Sequence, residues 1–374
     1  MQGHFSFDQP PAKPTSSNAF SPHVATILVS KAVVISGTRD QQGEITSIDR
    51  GTWPFAVEAL GSPVVIRGLR FVRPNGGAIQ VNAVRGLEIS DCRIEGIVPL
   101  SNRDLKGARV GLAIGVSTVS THPSPAERGQ PENVAGTISI VNNDIDATGG
   151  AAADLTVGIL VFSVGQSPGQ EVDLHVSGNR ISNVTERAVN LRQVGGRAYV
   201  EQNVISTGSI VGAAGGVAPD AIHAVGTGSY RIAHNSIHSG WANGAGIRIH
   251  ANFAEWPIIG AIVVDNDVTM AAPENTLFGT NSAGIEIRGY AQGTAVLNNR
   301  IRGRARAALA VITQGDGIPG NSEFVSNDLE GFQATLAGVL VDKGVTNTRL
   351  VDEKGKFEDG GIGTVIVRLG GKEK

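Results

Sequence analysis

Seven side chains in the middle of this chain are of types that bind anions and move protons: Asn190, Arg192, His223, Arg248, His250, Glu286 and Arg288. Guanidinium forks match carboxylates and sulfates, and histidine exchanges protons near neutral pH. β-Elimination from a uronate needs a neutralised carboxylate, a base for the C5 proton and a donor for the leaving oxygen. Arg248 or Arg288 could neutralise, with His223 or His250 as base. Hydrolysis usually relies on paired carboxylates, and Glu286 is the one acid of the set. Two plainer readings stand beside these. Arg248 opposite Glu286 is also an ordinary cross-strand ion pair. His223, His250 and Glu286 are also metal-ligand types, although no outer pattern supports a metal.

These residues would come together only if the chain repeats, and it does. Asparagine followed two residues later by an aliphatic side chain starts at Asn143, Asn179, Asn203, Asn235, Asn266, Asn299 and Asn327, with variant copies at Leu69 and Cys92. Three residues upstream stand Ile66, Ile89, Ile140, Val176, Val200, Ile232, Val263, Val296 and Phe324, and two residues downstream every copy is again apolar. A second element, small–aliphatic–any–aliphatic, begins at Ala78, Gly111, Gly158, Ala188, Ala221, Gly246, Gly284, Ala308 and Gly338. Alternation with period two marks strands buried on one face. Irregular spacing suits solenoid coils with loop insertions, and no amphipathic stretch is long enough for a crossover helix. Coils stacked at ~4.8 Å would align the asparagines into a ladder of side-chain amides. Cys92 takes an asparagine slot, as a buried small side chain and not a reactive thiol.

The third residues of the second element are expected to face outward: Gln80, Ala113, Leu160, Asn190, His223, Arg248, Glu286, Ala310 and Leu340. So are the fifth: Asn82, Gly115, Phe162, Arg192, Val225, His250, Arg288, Ile312 and Asp342. The ends of both columns are small or apolar and the middle is polar, which predicts one patch of about 15 Å. Long segments before and after these strands, among them 206 to 219, 269 to 282, 250 to 258 and 312 to 321, would wall a groove. Trp241, Phe253, Trp256 and Tyr290 gather beside it, in a chain with few aromatics, as flat contacts for sugars. Asn190, Arg192, Trp241, Trp256 and Tyr290 are the candidate substrate contacts. His234 and His238 flank a turn on another face and are expected to be solvated.

The asparagine ladder and the G-I-x-I strands resemble the right-handed parallel β-helix proteins of pectate-lyase-like architecture, from about Val24 to Val367. That resemblance implies an all-β, single right-handed parallel β-helix of about ten coils with loop insertions walling one face. The group holds polysaccharide lyases, polygalacturonase-type hydrolases, pectin methylesterases, uronan epimerases, phage tailspikes and passive adhesins. Its catalytic signatures are absent: there is no Asp-Asp pair of the polygalacturonase type, no W-I-D-H and no Q-D-T-L. No catalytic residue is therefore carried over from it.

Composition narrows the field. Glycine supplies 50 of 374 residues and charged residues 17%, which excludes helical bundles and coiled coils. A net charge of −3 without a dense basic block argues against nucleic acid. No apolar run approaches a membrane span. The single cysteine excludes an intramolecular disulfide and a multi-cysteine zinc site. Residues 1–23, with four prolines, read as an extended arm lacking a secretory h-region. The protein either stays inside or, if a leader precedes this sequence, is extracellular or periplasmic. Residues 24–367 read as one β-helix domain and 368–374 as a charged tail. No cofactor is evident, with calcium left open, and the oligomeric state is open, a trimer included. The leading expectation is a protein that binds an acidic polysaccharide and cleaves or epimerises it. The alternatives are a non-catalytic glycan-binding, adhesin or tailspike-like module, and a β-helix adapted to a small-molecule reaction.

Overall fold

A computed structural model describes residues 4–7, 27–38, 45–101, 109–117, 134–148, 154–207, 219–271, 278, 281–342, 345, 348–351, 365–369 and 372–373. Among these there is no helix. The strands pair almost entirely in parallel, each with the strand one coil later, in the parallel β-helix that the repeat predicts. The chain divides into two compact units, Met1–Arg197 with Ala213–Val217, and Ala198–Gly212 with Ala218–Lys374.

In the first unit three strand columns run through successive coils. Ile35, Ile66, Ile89, Ile140 and Val176 lie in register along one. Ile48, Phe71, Ile94, Ile145 and Ile181 lie along the second. Val29, Val57, Val81, Val116, Val161 and Leu191 lie along the third. All of them except half-buried Ile35 are buried, so the alternating apolar positions meet inside the coil. The second unit repeats the plan. Ile232, Val263, Val296, Phe324 and Leu350 form its first column. Ile205, Ile237, Val268 and Ile301 form its second, and Ile222, Ile247, Ile285, Leu309 and Val339 its third.

The expected ladder is present in each unit. Asn143 donates through Nδ2 to Asn179 Oδ1 at 3.0 Å, and the Cys92 N–H donates to Asn143 Oδ1. In the second unit Asn203, Asn235, Asn266, Asn299 and Asn327 are joined amide to amide at 2.8–3.0 Å. The residue before each of these positions adopts the left-handed conformation: Gly68, Asp91, Asn142, Gly178, Gln202, His234, Asp265, Asn298 and Ser326 all have φ between 52° and 66°. That column is polar or glycine throughout because a β-branched side chain is strained there. His234 is thus an exposed turn residue, and His238 is exposed as well.

Two expectations are corrected. Strand Arg109–Ser117 sets Gly115, not Ala113, opposite Gln80 and Leu160. A slip of two residues keeps the same face inward and leaves the alternation unchanged. The columns expected to face outward are also largely buried, with Gln80, Asn190, His223, Arg248, Glu286, Ala310 and Leu340 at 1–6% exposure. Chain outside the strands folds back across this face. The Asn281 carbonyl reaches Arg248, and the Gln314 side chain reaches His250. Nearby, Ala283, Ala307, Ala310, Ile312 and Leu340 make a second apolar cluster.

Strand His4–Phe7, within the stretch expected as an arm, lies parallel to Ser47–Arg50. Val365–Leu369 pairs in parallel with Thr348–Val351, and Lys372–Glu373 folds back on it antiparallel. The other residues of the proposed arm, and most of the segment 206 to 219 expected to wall the groove, lie outside the described residues.

Candidate functional site

Three neighbouring strands of the second unit, Asp220–Val225, Ala245–Ala251 and Ala283–Gly289, carry the centre of the site. Their register sets His223 beside Arg248 and Arg248 beside Glu286 in one row, and His250 beside Arg288 in the next. This register needs close packing behind it. A Cβ on Gly246 would sit 2.5 Å from Val268 Cγ1 and 2.7 Å from the Gly284 carbonyl oxygen, so a side chain there would push the strand outward.

Arg248, 3% exposed, is held by two carboxylates. Its Nη1 donates to Asp220 Oδ2 at 2.9 Å, its Nε stands 2.8 Å from Glu286 Oε1, and its Nη2 donates to the Asn281 carbonyl at 3.2 Å. Burial works against the charge, but Asp220 and Glu286 together outweigh it and hold the guanidinium above its ordinary value. Glu286 Oε1 also accepts from Arg288 Nε at 2.7 Å, and Arg288 is the less buried of the two arginines. Asp220 Oδ1 accepts the Ala245 N–H at 2.9 Å, tying the network to the next strand.

The histidines adjoin this network. His223 Nδ1 stands 3.4 Å from Asp220 Oδ2, and its Nε2 lies 3.3 Å from His250 Nδ1. The rings stack, with centroids 5.5 Å apart and planes 11° apart. His250 Nε2 is 2.7 Å from Gln314 Oε1, and Gln314 Nε2 donates to Asn252 Oδ1 at 3.2 Å. The Gln314 turn closes on itself by paired backbone bonds with Gly317, and Gly317 lies against the half-buried Tyr290 ring. Tyr290 thus backs the turn that brings Gln314 to His250.

The structure therefore brings five expected residues together, His223, Arg248, His250, Glu286 and Arg288, and adds Asp220, Gln314, Asn252 and Asn281. Asp220 had a signal, as an acid at the first position of a strand whose fourth residue is histidine. Gln314 had none, since its segment is outside the repeat. The exposed cross-strand ion pair is corrected to a buried network, because Glu286 is 1% exposed. Among the described residues no group of three or more His, Cys, Asp or Glu is disposed to hold a metal ion.

Trp241 is fully buried, which places it in the core and not on a sugar-stacking surface. Trp256 is half-buried and meets the exposed Phe253 edge to face at 5.2 Å. Asn190 and Arg192 lie in the first unit, on strand Arg187–Val194. Arg192 sits over the Phe162 ring at 5.2 Å. Burial, with Arg187 adding to it, pushes its guanidinium down to about 10. Asn190 Oδ1 is buried without a hydrogen-bond partner.

No family model matches this chain. No curated protein matches it either. Among solved structures it is similar to a periplasmic alginate epimerase, with 12% sequence identity, 87% of this chain and 76% of that chain covered, and a TM-score of 0.43. At that identity no residue role passes from that enzyme to this chain.

Proposed function

We propose that this chain binds an acidic polysaccharide and transfers protons on its uronate units, by β-elimination or C5 epimerisation. The observation that carries this reading is the buried, stacked pair His223 and His250, set between Asp220 and Gln314 and beside Arg288. Two imidazoles in contact can serve as acid and base within one site. The base takes the C5 proton. In elimination the C4–O bond then breaks, a C4–C5 double bond forms, and the acid protonates the departing oxygen. In epimerisation the acid instead delivers a proton to the opposite face of C5. Arg288 is the cation for the substrate carboxylate, because Arg248 is already held by two acids. In the first unit Asn190 and Arg192 suit sugar hydroxyl and carboxylate groups, since one amide oxygen is unpaired and the arginine is desolvated.

A second reading, a non-catalytic glycan-binding or structural module, is favoured by the burial of Asp220, Arg248 and Glu286, which also makes a packed polar core. The deciding experiment incubates the protein with alginate, polygalacturonate and glycosaminoglycans. It follows ultraviolet absorbance of the unsaturated product, and the uronate epimer ratio by proton NMR. Activity lost in both His223→Ala and Arg288→Ala, with folding retained, supports the catalytic reading. No product and no epimer change on any substrate, with calcium and without, moves the assignment to the binding module, to be pursued by glycan-array binding.

A further inference from the structure

The hydrogen-bond polarity around the histidine pair counts its protons. Gln314 spends its amide N–H on Asn252 Oδ1, so it presents its carbonyl oxygen to His250 Nε2 at 2.7 Å, and that nitrogen must donate. At the other end His223 Nδ1 stands 3.4 Å from a carboxylate oxygen of Asp220, an ion-pair contact without hydrogen-bond alignment; a bare lone pair turned to that carboxylate would be repelled, so this nitrogen carries hydrogen too. Between the rings, His223 Nε2 and His250 Nδ1 are 3.3 Å apart and share a third hydrogen. Two neutral imidazoles carry two N–H groups in all. A stacked pair closed by an acceptor at each end needs three.

We infer that Asp220 and Gln314 hold the His223–His250 pair as one imidazole–imidazolium unit with a single shared positive charge in the resting protein. Either ring can carry the central hydrogen, so the two titrate as a pair. The charged groups facing them among the described residues are Asp220, Glu286, Arg248 and Arg288. Two carboxylates, two guanidiniums and one shared imidazolium leave one net positive charge, the complement of a ligand presenting one carboxylate at a time, as a uronate unit does. The ligand class rests on the proposed function; the proton count does not. In an elimination the shared proton passes to the departing oxygen as the C5 proton is drawn off, the ring nitrogen so freed accepts the C5 proton, and the pair ends with the proton count it began with. Asp220 and Gln314 act through the histidines and are positioning residues.

The test uses the full chain labelled with 15N-histidine and reads long-range 15N–1H correlations at neutral pH. The exposed His234 and His238 supply reference rings in the same spectra. The expected result is three protonated nitrogens over the four of His223 and His250, both rings changing together as pH rises. Two protonated nitrogens, with the Gln314 amide turned to donate, would overturn the inference. Asn252→Asp offers Gln314 an acceptor only, so it should preserve the count of three; a drop to two would also count against the assignment. Asp220→Asn removes one closing acceptor and should lower the count to two if the variant folds. In parallel, binding of a uronate oligosaccharide should weaken at least tenfold once the pair has lost its shared proton. A count of three without uronate binding at any pH would sink the proposed function and leave the proton assignment standing, whereas a count of two sinks the assignment whatever the activity.

Discussion

At the scale of single residues, charge burial decides what each group can do. Arg248 and Glu286 were expected on an exposed strand, where an ion pair contributes under ~1 kcal/mol. They are buried, and Glu286 serves two guanidiniums at once. Glu286→Ala should therefore cost about 3–5 kcal/mol, because it leaves buried cations uncompensated. The denaturation midpoint checks this, and an unchanged midpoint would mean the face is open to water. Cys92 gives an independent check. Burial pushes its thiol up to about 12, with the charge of Asp91 adding to it, so almost no thiolate exists at pH 8. Iodoacetamide should leave the native protein unlabelled and modify Cys92 only under denaturing conditions. The sequence identified Cys92 as buried because its neighbours in the repeat are ladder asparagines, but it could not show Asp220 beneath Arg248. Asp220 is outside the columns that alternation singles out.

At the scale of the element, the stacked coil sets the cost of a change. Asn266 Oδ1 accepts both the backbone N–H and the side-chain amide of Asn235, while its own amide serves the Ile232 and Val264 carbonyls. Asn266→Ala strands several buried groups at once and should destabilise by roughly 2–4 kcal/mol, since each unmet buried group costs about 1–3 kcal/mol. The neighbouring exposed turn residue Asn298 is the control. Asn298→Gly relaxes a left-handed backbone at φ 52° and should be neutral or slightly stabilising. Equal losses at the two positions would show that the ladder adds nothing beyond its turns. Gly246→Val should disturb the site through register, since its strand has no room for a side chain. The ladder and the apolar columns were legible because every coil repeats them. The pairing of Gly115 with Gln80 was not, because slips of two residues are silent in an alternating pattern.

At the scale of the whole molecule, 34 acidic and 31 basic residues leave a net charge of −3, so an anionic ligand meets no attractive long-range field. Recognition must be local. Uronate binding should fall only modestly between low and physiological salt, as expected for one or two charge contacts. Titration of affinity against sodium chloride measures it, and a steep dependence would point to a basic surface other than Arg288 or Arg192.

What the sequence by itself determined is the part of this protein that repeats. Strand type, the inward columns, the ladder and the row that joins His223, Arg248 and Glu286 all follow from period-two alternation and stacking of like on like. The tertiary structure alone decided the environment of that row. The segment bearing Gln314 and the Asn281 carbonyl fold over it from outside the repeat, and the first residue of a strand supplies Asp220. Periodicity fixes which way a side chain points, but burial and protonation depend on what non-repeating chain lies against it. Those contacts turned an expected open polar face into a buried network around two histidines.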